Sequence, residues 1–585
     1  MKVSRSFFLL LSITPISLNA QSVDTLAPSA PTSFSSDLNN ADAKDESKVV
    51  SESVGVHLKD YGGPGKAQTL SIRGAKAADV AVTLEGIRLN SVNSGEFDFG
   101  NLSSFGIEEG KIIRGGYAPY SSSPSGQVLL KLPREKIYKV HFDYGSYQNF
   151  SLAGQTPNAT LSIDQSRNDF PYDDNGITKY RTHNGGQRIN LRTWMFKKDH
   201  QVWAQLLYSD QDLPGPITFF TDAATQTLTP TLAYQGKHKN YEWAFWGTYE
   251  HENYSDHTSE SATLNRWWSS GVRGQGRFEI HPKVMLENIF EWTQDLLYSK
   301  SKGPDEKFNT PVRHTLSFSE SAYMDLTDRW LLHPRVRFEY ISDLGQENSS
   351  IHPGIGTRYR LSENIDLLGN IAYISRAPNF GEMYFRITGL DLPNPDLKRQ
   401  ASLQGDSGYE IHGKYEKVST KFQQAVFIDR TKNIIHGVEI PQANGSILYQ
   451  VQNLGTSLSY GLETSGNFQF ERLFKFDANY TLEKSQIADD PATYEPTHRM
   501  NMEPTLFPED RFNFSLPLYM RSAVHISKLK TLSSQWDLGF VVKAQIQRFE
   551  CKFQLFNLLG WNREELSGFP LSNEPSGKIS VEAKF

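Results

Sequence analysis

The chain has 585 residues, 22% of them charged and 12% aromatic, with a formal net charge of −6. That balance is too polar for a helical membrane bundle and too aromatic for a disordered chain. The net negative charge, with no basic tract, also excludes a general nucleic-acid binder, whose phosphate contacts need concentrated Lys and Arg.

Residues 1–20 set Lys2 and Arg5 ahead of an apolar run from Phe7 to Ile13 and end in Ala20, the layout of a secretory signal peptide cleaved after Ala20. Cys551 is the single cysteine, so an exported chain has no disulfide to rely on. Beyond the signal no run approaches the ~20 apolar residues of a membrane helix, so a membrane location requires strands. Residues 21–50 are rich in Ser, Asp, Asn, Ala and Pro without an apolar period, and read as a flexible tether.

Residues 51–135 form a second unit in which Gly62, Gly63, Gly65, Gly74, Gly86, Gly115 and Gly116 separate short apolar runs, the pattern of short strands and sharp turns. From residue 136 to 585 the texture becomes alternation at period 2. In "YKVHFDY" Tyr138, Val140, Phe142 and Tyr144 share one face, and Lys139, His141 and Asp143 the other. "FKFDANYTLE" repeats the pattern, with Phe474, Phe476, Ala478, Tyr480 and Leu482 opposing Lys475, Asp477, Asn479, Thr481 and Glu483.

A soluble sandwich and a membrane barrel both alternate in this way. Three features favour the barrel: alternation without a repeat period or linker, aromatics spread throughout, and a final strand, "GKISVEAKF", that ends on Phe585. Divided among about 22 strands, the segment allows about 20 residues per strand and connection, enough for tilted spans with short turns on one side and longer loops on the other. A barrel of that size needs a filled lumen.

"TLSIRGAKAADVAVTLEGIRLN" (69–90), followed by "IEEGKIIRGGYAPYSSSPSGQVLLKLP", resembles the plug domain of TonB-dependent outer-membrane receptors. The resemblance is carried by Ile72-Arg73-Gly74, by the Glu85-to-Asn90 turn, by Arg114-Gly115 and by Ser125-Gly126. It continues through "SRAPNFGEMYF" (375–385), "NPDLKRQAS" (394–402), "YGLETSGNFQF" (460–470), "PTHRMN" (496–501) and "FNLLGW" (556–561). Glu85 stands where the family usually has Asp, "YSSSPSG" replaces the commoner "YGS-A-GG", and the front of the plug is shortened.

The resemblance implies an all-β membrane fold, an antiparallel transmembrane β-barrel of about 22 strands with an N-terminal plug domain in the lumen. It further implies active transport, across the outer membrane, of a scarce metal chelate, a ferric siderophore or cobalamin. The implied partners are a TonB-like periplasmic energy-coupling protein, the chelate and outer-membrane lipid, with the chain a monomer and no cofactor required.

Within that frame Arg73 and Arg114 are expected to pair with Glu463 and Glu503 on the barrel wall, and Tyr61, Asn90, Asn93 and Glu96 to contact ligand. "VDTLAPSA" (23–30), with Asp24, Thr25 and Leu26, reads either as a plain linker or as the box that the coupling protein captures by strand addition. The acidic run 164–176, with Asp164, Asp169, Asp173 and Asp174, reads either as a solvated loop or as a calcium site. A passive porin leaves the glycine-rich unit unexplained. A barrel enzyme lacks support, since no metal-ligand spacing, nucleophile elbow or phosphate loop is present. A secreted soluble β protein is the remaining alternative.

Overall fold

The structure, a computed structural model, describes residues 35–37, 53–61, 66–103, 105–116, 123–167, 171–174, 177–180, 185–214, 222–256, 261–301, 310–343, 346–384, 391–442, 447–488, 490–527, 530–567 and 569–585. The expected signal peptide and residues 23–30, with Asp24, Thr25 and Leu26, lie outside these, as does Asp169.

Exposure decides between sandwich and barrel. In the Lys139–Gly145 strand Val140, Phe142 and Tyr144 are 44–53% exposed, whereas His141 and Asp143 are 3% and 7% exposed. Apolar side chains outside and polar ones inside is the inverse of a water-soluble sandwich, and it suits a sheet with lipid around it and a polar interior. The sheet closes on itself as twenty-two antiparallel passes, the last strand, Ser576–Lys584, pairing with Lys139–Gly145 through Ile579 opposite Tyr144 and Ala583 opposite Val140. Closure leaves no unpaired edge. No helix among the described residues is long and apolar enough to cross a membrane.

Connections differ at the two ends. Turns of two residues, 198–199 and 239–240, join strands at the end that carries Phe585, with Lys198 and Lys239 at φ 49° and 53°. At the other end the chain runs from Arg376 to Gln400 and from Phe556 to Ser576 between barrel strands.

The lumen holds a mixed sheet in the order Ser35–Asp37, Glu109–Arg114, Gly126–Lys131, Val80–Leu84, Ile87–Arg88, plus the hairpin Val56–Asp60 with Gln68–Ile72. Val80–Leu84 turns into Ile87–Arg88 through Glu85 (φ 51°) and Gly86 (φ 77°), and two consecutive positive φ angles are the demand of a type I′ hairpin turn. The "EG" pair is that turn. Its core, Ile72, Val82, Leu84, Ile87, Ile112 and Val128, packs against Trp194, Trp203 and Trp246 of the barrel wall. The wall indoles complete an apolar core that this small sheet is too thin to close alone.

Two expectations need revising. Ser35–Asp37, inside the expected tether 21–50, is an edge strand that pairs with Lys111–Ile113. A three-residue polar strand is held by backbone hydrogen bonds and leaves no apolar signature. Asp164, expected in an acidic loop, lies within the barrel strand Ala159–Arg167, opposite Arg188, with Nη2 3.9 Å from its carboxylate. Asp173 and Asp174 fall in a separate short strand, Pro171–Asp174, so Asp164 does not share a segment with them.

Candidate functional site

Two sets of polar contacts tie the plug to the wall, one inside the barrel and one toward the long-loop end. The inner set begins at the "RG" pairs. Arg73 closes the Gln68–Ile72 strand with φ 53°, and Gly74 follows at φ 72°, so the chain turns away while the guanidinium is directed at the wall. Arg73 Nε and Nη2 donate to Glu463 Oε1 and Oε2, each at 2.9 Å, and Nη1 donates to Asp406 Oδ2 at 2.9 Å. Arg114, ending the Glu109–Arg114 strand, lies with Nε 3.1 Å from Glu463 Oε2 and donates from Nη2 to Gln423 Oε1 at 2.6 Å. The Arg73 guanidinium also lies 4.7 Å from the Phe427 ring centroid.

This cluster is buried and balanced, two guanidiniums against two carboxylates. Burial pulls the Arg73 guanidinium down, but the charges of Glu463 and Asp406 outweigh it and leave the group above its ordinary value. For Arg114 burial dominates: Glu463 opposes it, Arg73 adds repulsion, and the group sits below its ordinary value. Both stay guanidinium cations, since an arginine side chain is not deprotonated in proteins. A planar fork that reaches two carboxylates at once is what lysine lacks. Gly55 completes the site, because a Cβ there would collide with Glu463 Oε1, and its N–H donates to Thr481 Oγ1 at 2.9 Å.

Glu503 is not part of the cluster. It shares the lumen-facing parity of Arg499, which is in register with Thr481 and hence with Glu463, but it lies four residues further along the strand. At ~3.3 Å per residue that displaces it by about 13 Å. The further wall partners of the two arginines are instead Asp406 and Gln423.

The outer set is built on the segment after the Ile365–Arg376 strand. Asn379 and Glu382 form a reciprocal cap: Glu382 N–H donates to Asn379 Oδ1 at 2.7 Å and Asn379 N–H to Glu382 Oε2 at 2.8 Å. The short helix they start, Phe380–Tyr384, sits on the plug. Gly381 N–H donates to Asn93 O at 2.7 Å and Asn379 Nδ2 to Ser94 O at 2.7 Å. Phe380 and Met383 pack with Trp267, Leu297, Leu397 and Ile435, and Val92 of the plug joins them. Arg376 crosses from wall to plug, with Nε 2.6 Å from Asp79 Oδ1 and its Nη1 and Nη2 bound to the Glu382 carboxylate at 2.8 and 2.9 Å. Gln400 Nε2 donates to the same Asp79 oxygen at 2.6 Å. Burial pushes the Glu382 carboxyl up, Arg376 outweighs that, and the group lies below its ordinary value.

Of the ligand candidates, Asn90 is internal. Its Oδ1 accepts from Val82 N–H at 2.8 Å and its Nδ2 donates to Val80 O and Gly95 O, each at 2.9 Å, so the amide is spent on the plug's own turn. Asn93 offers its carbonyl to the helix as described. Tyr61 and Glu96 are half-buried on the same plug face, and burial raises both groups above their ordinary values. Lys59 beside them is 2.7 Å from Glu495, and His57 is 3.2 Å from Glu565, so loop carboxylates bear on the plug here too. Burial lowers Lys59 but Glu495 raises it further, and the Glu495 carboxyl is held down at about 2, burial being outweighed by Lys59. Asp98 accepts from Gln68 and Gly100 N–H at 2.8 Å each, and burial still pushes it up to about 6.

Sequence reasoning missed Asp79, Arg376, Asn379, Glu382 and Asp406. The N-x-x-E spacing in "RAPNFGEMY", a helix-start signature directly after a strand, was the readable signal for two of them, Asn379 and Glu382.

Comparison with known proteins agrees with this architecture. A model described as the TonB-dependent receptor plug domain matches residues 27–126, and one described as the TonB-dependent receptor-like β-barrel matches residues 134–530. The vitamin B12 transporter BtuB of Vibrio vulnificus (strain YJ016) is 20% identical over 395 residues, covering 60% of this chain and 60% of the relative. The chain thus spans about three-fifths of the length of that curated relative. Among solved structures, the siderophore receptor PirA from Acinetobacter baumannii superposes with a TM-score of 0.73 at 15% identity, covering 94% of this chain and 98% of the other. The copper transporter OprC superposes with a TM-score of 0.78 at 12% identity, covering 97% and 100%. At these identities the superpositions speak for the fold.

Proposed function

Because the chain belongs to the TonB-dependent receptor family, whose β-barrels lie in the outer membrane, we propose that it takes up a scarce metal chelate, a ferric siderophore or cobalamin, by energy-coupled transport. The long-loop end then faces outward and the Phe585 end faces the periplasm. The observation that carries the reading is the lumen itself: a folded domain fills it, and charge clusters and a loop helix pin that domain to the wall. A passive porin has no use for such a lock, since its lumen conducts without being opened.

The plug face that carries Tyr61, Asn93 and Glu96 is the floor a ligand meets from outside. Arg376 and the Phe380–Tyr384 helix touch that floor and the wall together, so ligand that shifts the helix changes the plug's hold on the wall. From the periplasm, a coupling protein that captures residues 23–30 pulls first on Ser35–Asp37, the outermost strand of the plug sheet. Stripping that strand leads directly to Glu109–Arg114 and hence to Arg114 in the inner lock. Ligand binding biases the plug at one face, and work arrives at the other. Calcium enters this reading only as an optional ligand of the short hairpin that holds Asp173 and Asp174.

The direct test is binding of purified protein to cobalamin and a panel of ferric siderophores by calorimetry. Saturable binding of one chelate, weakened by Tyr61→Ala or Glu96→Ala, supports the reading. Binding of none, together with steady ion conductance in planar bilayers, supports the porin.

A further inference from the structure

The outer face of the barrel carries a feature that transport does not use. On the strand Val312–Thr327 the outward positions from Leu326 to Leu316 face lipid, with Leu316, Phe318 and Leu326 exposed, while Ser317, Ser319, Ser321 and Tyr323 are buried on the lumen side. That stretch spans about 33 Å along the strand and about 25 Å of height at a tilt near 40°, the thickness of an apolar band between aromatic girdles. Glu320 shares the outward side, six residues from Leu326 and four from Leu316, and so lies near the middle of the band. Asn288 of the adjoining Val284–Ser301 strand stands directly opposite it, between the outward positions Leu286 and Phe290.

Between the girdles no other outward position among the described residues carries Asp, Glu, Lys or Arg. Asn288 and Glu320 form no hydrogen bond or ion pair among the described residues, and Asn288 Oδ1 is buried without a partner. Another polar group in the band is closed on itself: Tyr409 Oη donates to Gln424 Oε1 and Gln424 Nε2 to Thr464 Oγ1, each at 3.2 Å. Unlike that trio, the Asn288–Glu320 pair leaves an amide and a carboxyl unsatisfied where no water supplies them. Gly274, Gly276 and Ala322 adjoin the pair, so a second surface can approach closely.

The pair is self-complementary. Asn288 supplies N–H donors and Glu320 a carboxyl acceptor, on neighbouring strands about 5 Å apart. A two-fold axis along the membrane normal, running between two barrels that face each other at these strands, sets Asn288 of each copy against Glu320 of the other. At a tilt near 40° the two residues of one copy differ in height by only about 3 Å, within reach of both side chains. Such a contact satisfies both polar groups twice with one patch, the requirement of an isologous interface.

We propose that Asn288 and Glu320 are the centre of a two-fold interface through which a second copy of this chain docks in the plane of the membrane. Asn288 Nδ2 of each copy donates to the Glu320 carboxyl of the other, and the Phe290 and Phe318 rings pack around the bonds. Four strands at ~4.8 Å spacing and about 25 Å of height give a footprint of about 480 Å² on each copy, below the ~800 Å² a side of a standard complex. Association is therefore reversible and depends on the polar pair, and the monomer that the family resemblance implies is its dissociated state.

The test is sedimentation equilibrium of the full chain in neutrally buoyant detergent micelles. The wild-type chain is expected to show a concentration-dependent monomer–dimer equilibrium, and Glu320→Leu to raise the dimer dissociation constant by about tenfold or more while keeping heat-modifiable migration. Exchanging the two residues, Asn288→Glu with Glu320→Asn, preserves the reciprocal pairing across the axis and should bring the constant back to within about threefold of wild type. If Glu320→Leu assembles poorly, Asn288→Leu is expected to give the same loss. A wild-type chain that stays monomeric at every concentration, whether or not another outer-membrane protein travels with it, overturns the proposal. So does a Glu320→Leu dimer of unchanged strength, or an exchanged variant no better than Glu320→Leu.

Discussion

Arg73 and Glu463 are 390 positions apart in the chain, yet the guanidinium of one and the carboxylate of the other meet through two parallel hydrogen bonds of 2.9 Å. Removing either partner leaves a buried charge short of its counter-charge, a loss that typically costs about 3–5 kcal/mol, whereas removing both costs less. Arg73→Ala and Glu463→Ala are each expected to loosen the plug, read as ion leakage in planar bilayers and faster hydrogen exchange in Gln68–Ile72. The double variant should fall well short of the sum. Arg73→Lys should also leak, because an ammonium cannot keep the two parallel bonds to Glu463 while reaching Asp406. Additive effects would mean that the two residues act separately.

The outer contact predicts a different pattern. Arg376→Gln strands Asp79 and Glu382, and is expected to raise hydrogen exchange tenfold or more at the amides of 91–96 and 380–384 while leaving Gln68–Ile72 protected. Spread of the effect to the whole plug would show one cooperative unit rather than two separate holds.

Asp98 gives a pH dependence. Its carboxyl is raised in the folded plug from an ordinary 3.8 to about 6 by burial, so the folded state favours the proton. That contribution to stability is fully present below about pH 4 and is lost as pH rises through about 6. Asp98→Asn, which keeps the acceptor for Gln68 and Gly100 N–H, should therefore stabilise the plug at pH 8 by up to about 3 kcal/mol and make no difference at pH 3.5. Plug protection measured across that range checks both the size and the sign.

The chain end predicts an assembly defect. Phe585 N–H donates to Tyr138 O at 2.9 Å, closing the barrel seam, while its ring is 62% exposed on the outer face. Phe585→Ser keeps the backbone bond and loses the apolar group, so the amount of heat-modifiable barrel in the outer membrane should drop. Unchanged amounts would show that the aromatic end is not read during insertion.

The barrel was legible in the sequence because one property, apolar–polar alternation, recurs in strands such as Lys139–Gly145, Phe474–Ile487 and Ser576–Lys584, and Arg73, Arg114 and Glu463 were legible because glycines and a family-like context mark them. Asp406 was not, because it reaches the lock from a strand whose local sequence carries no such mark. Glu503 was misplaced because local context gives the face of a strand but not its height. Asn90 looked like a contact residue because its amide sits in a turn, and sequence does not say whether that amide closes the turn or leaves it. Ser35–Asp37 was hidden because backbone pairing alone has no compositional trace.

The most direct measurement is uptake of radiolabelled cobalamin and ferric siderophores by cells that express the full chain or a version lacking residues 23–30, at equal surface level. If the plug is opened by force applied through that segment, the deletion keeps binding at the cell surface and abolishes accumulation. Undiminished accumulation by the deleted chain, or accumulation that persists when the inner membrane is de-energised, would contradict the account.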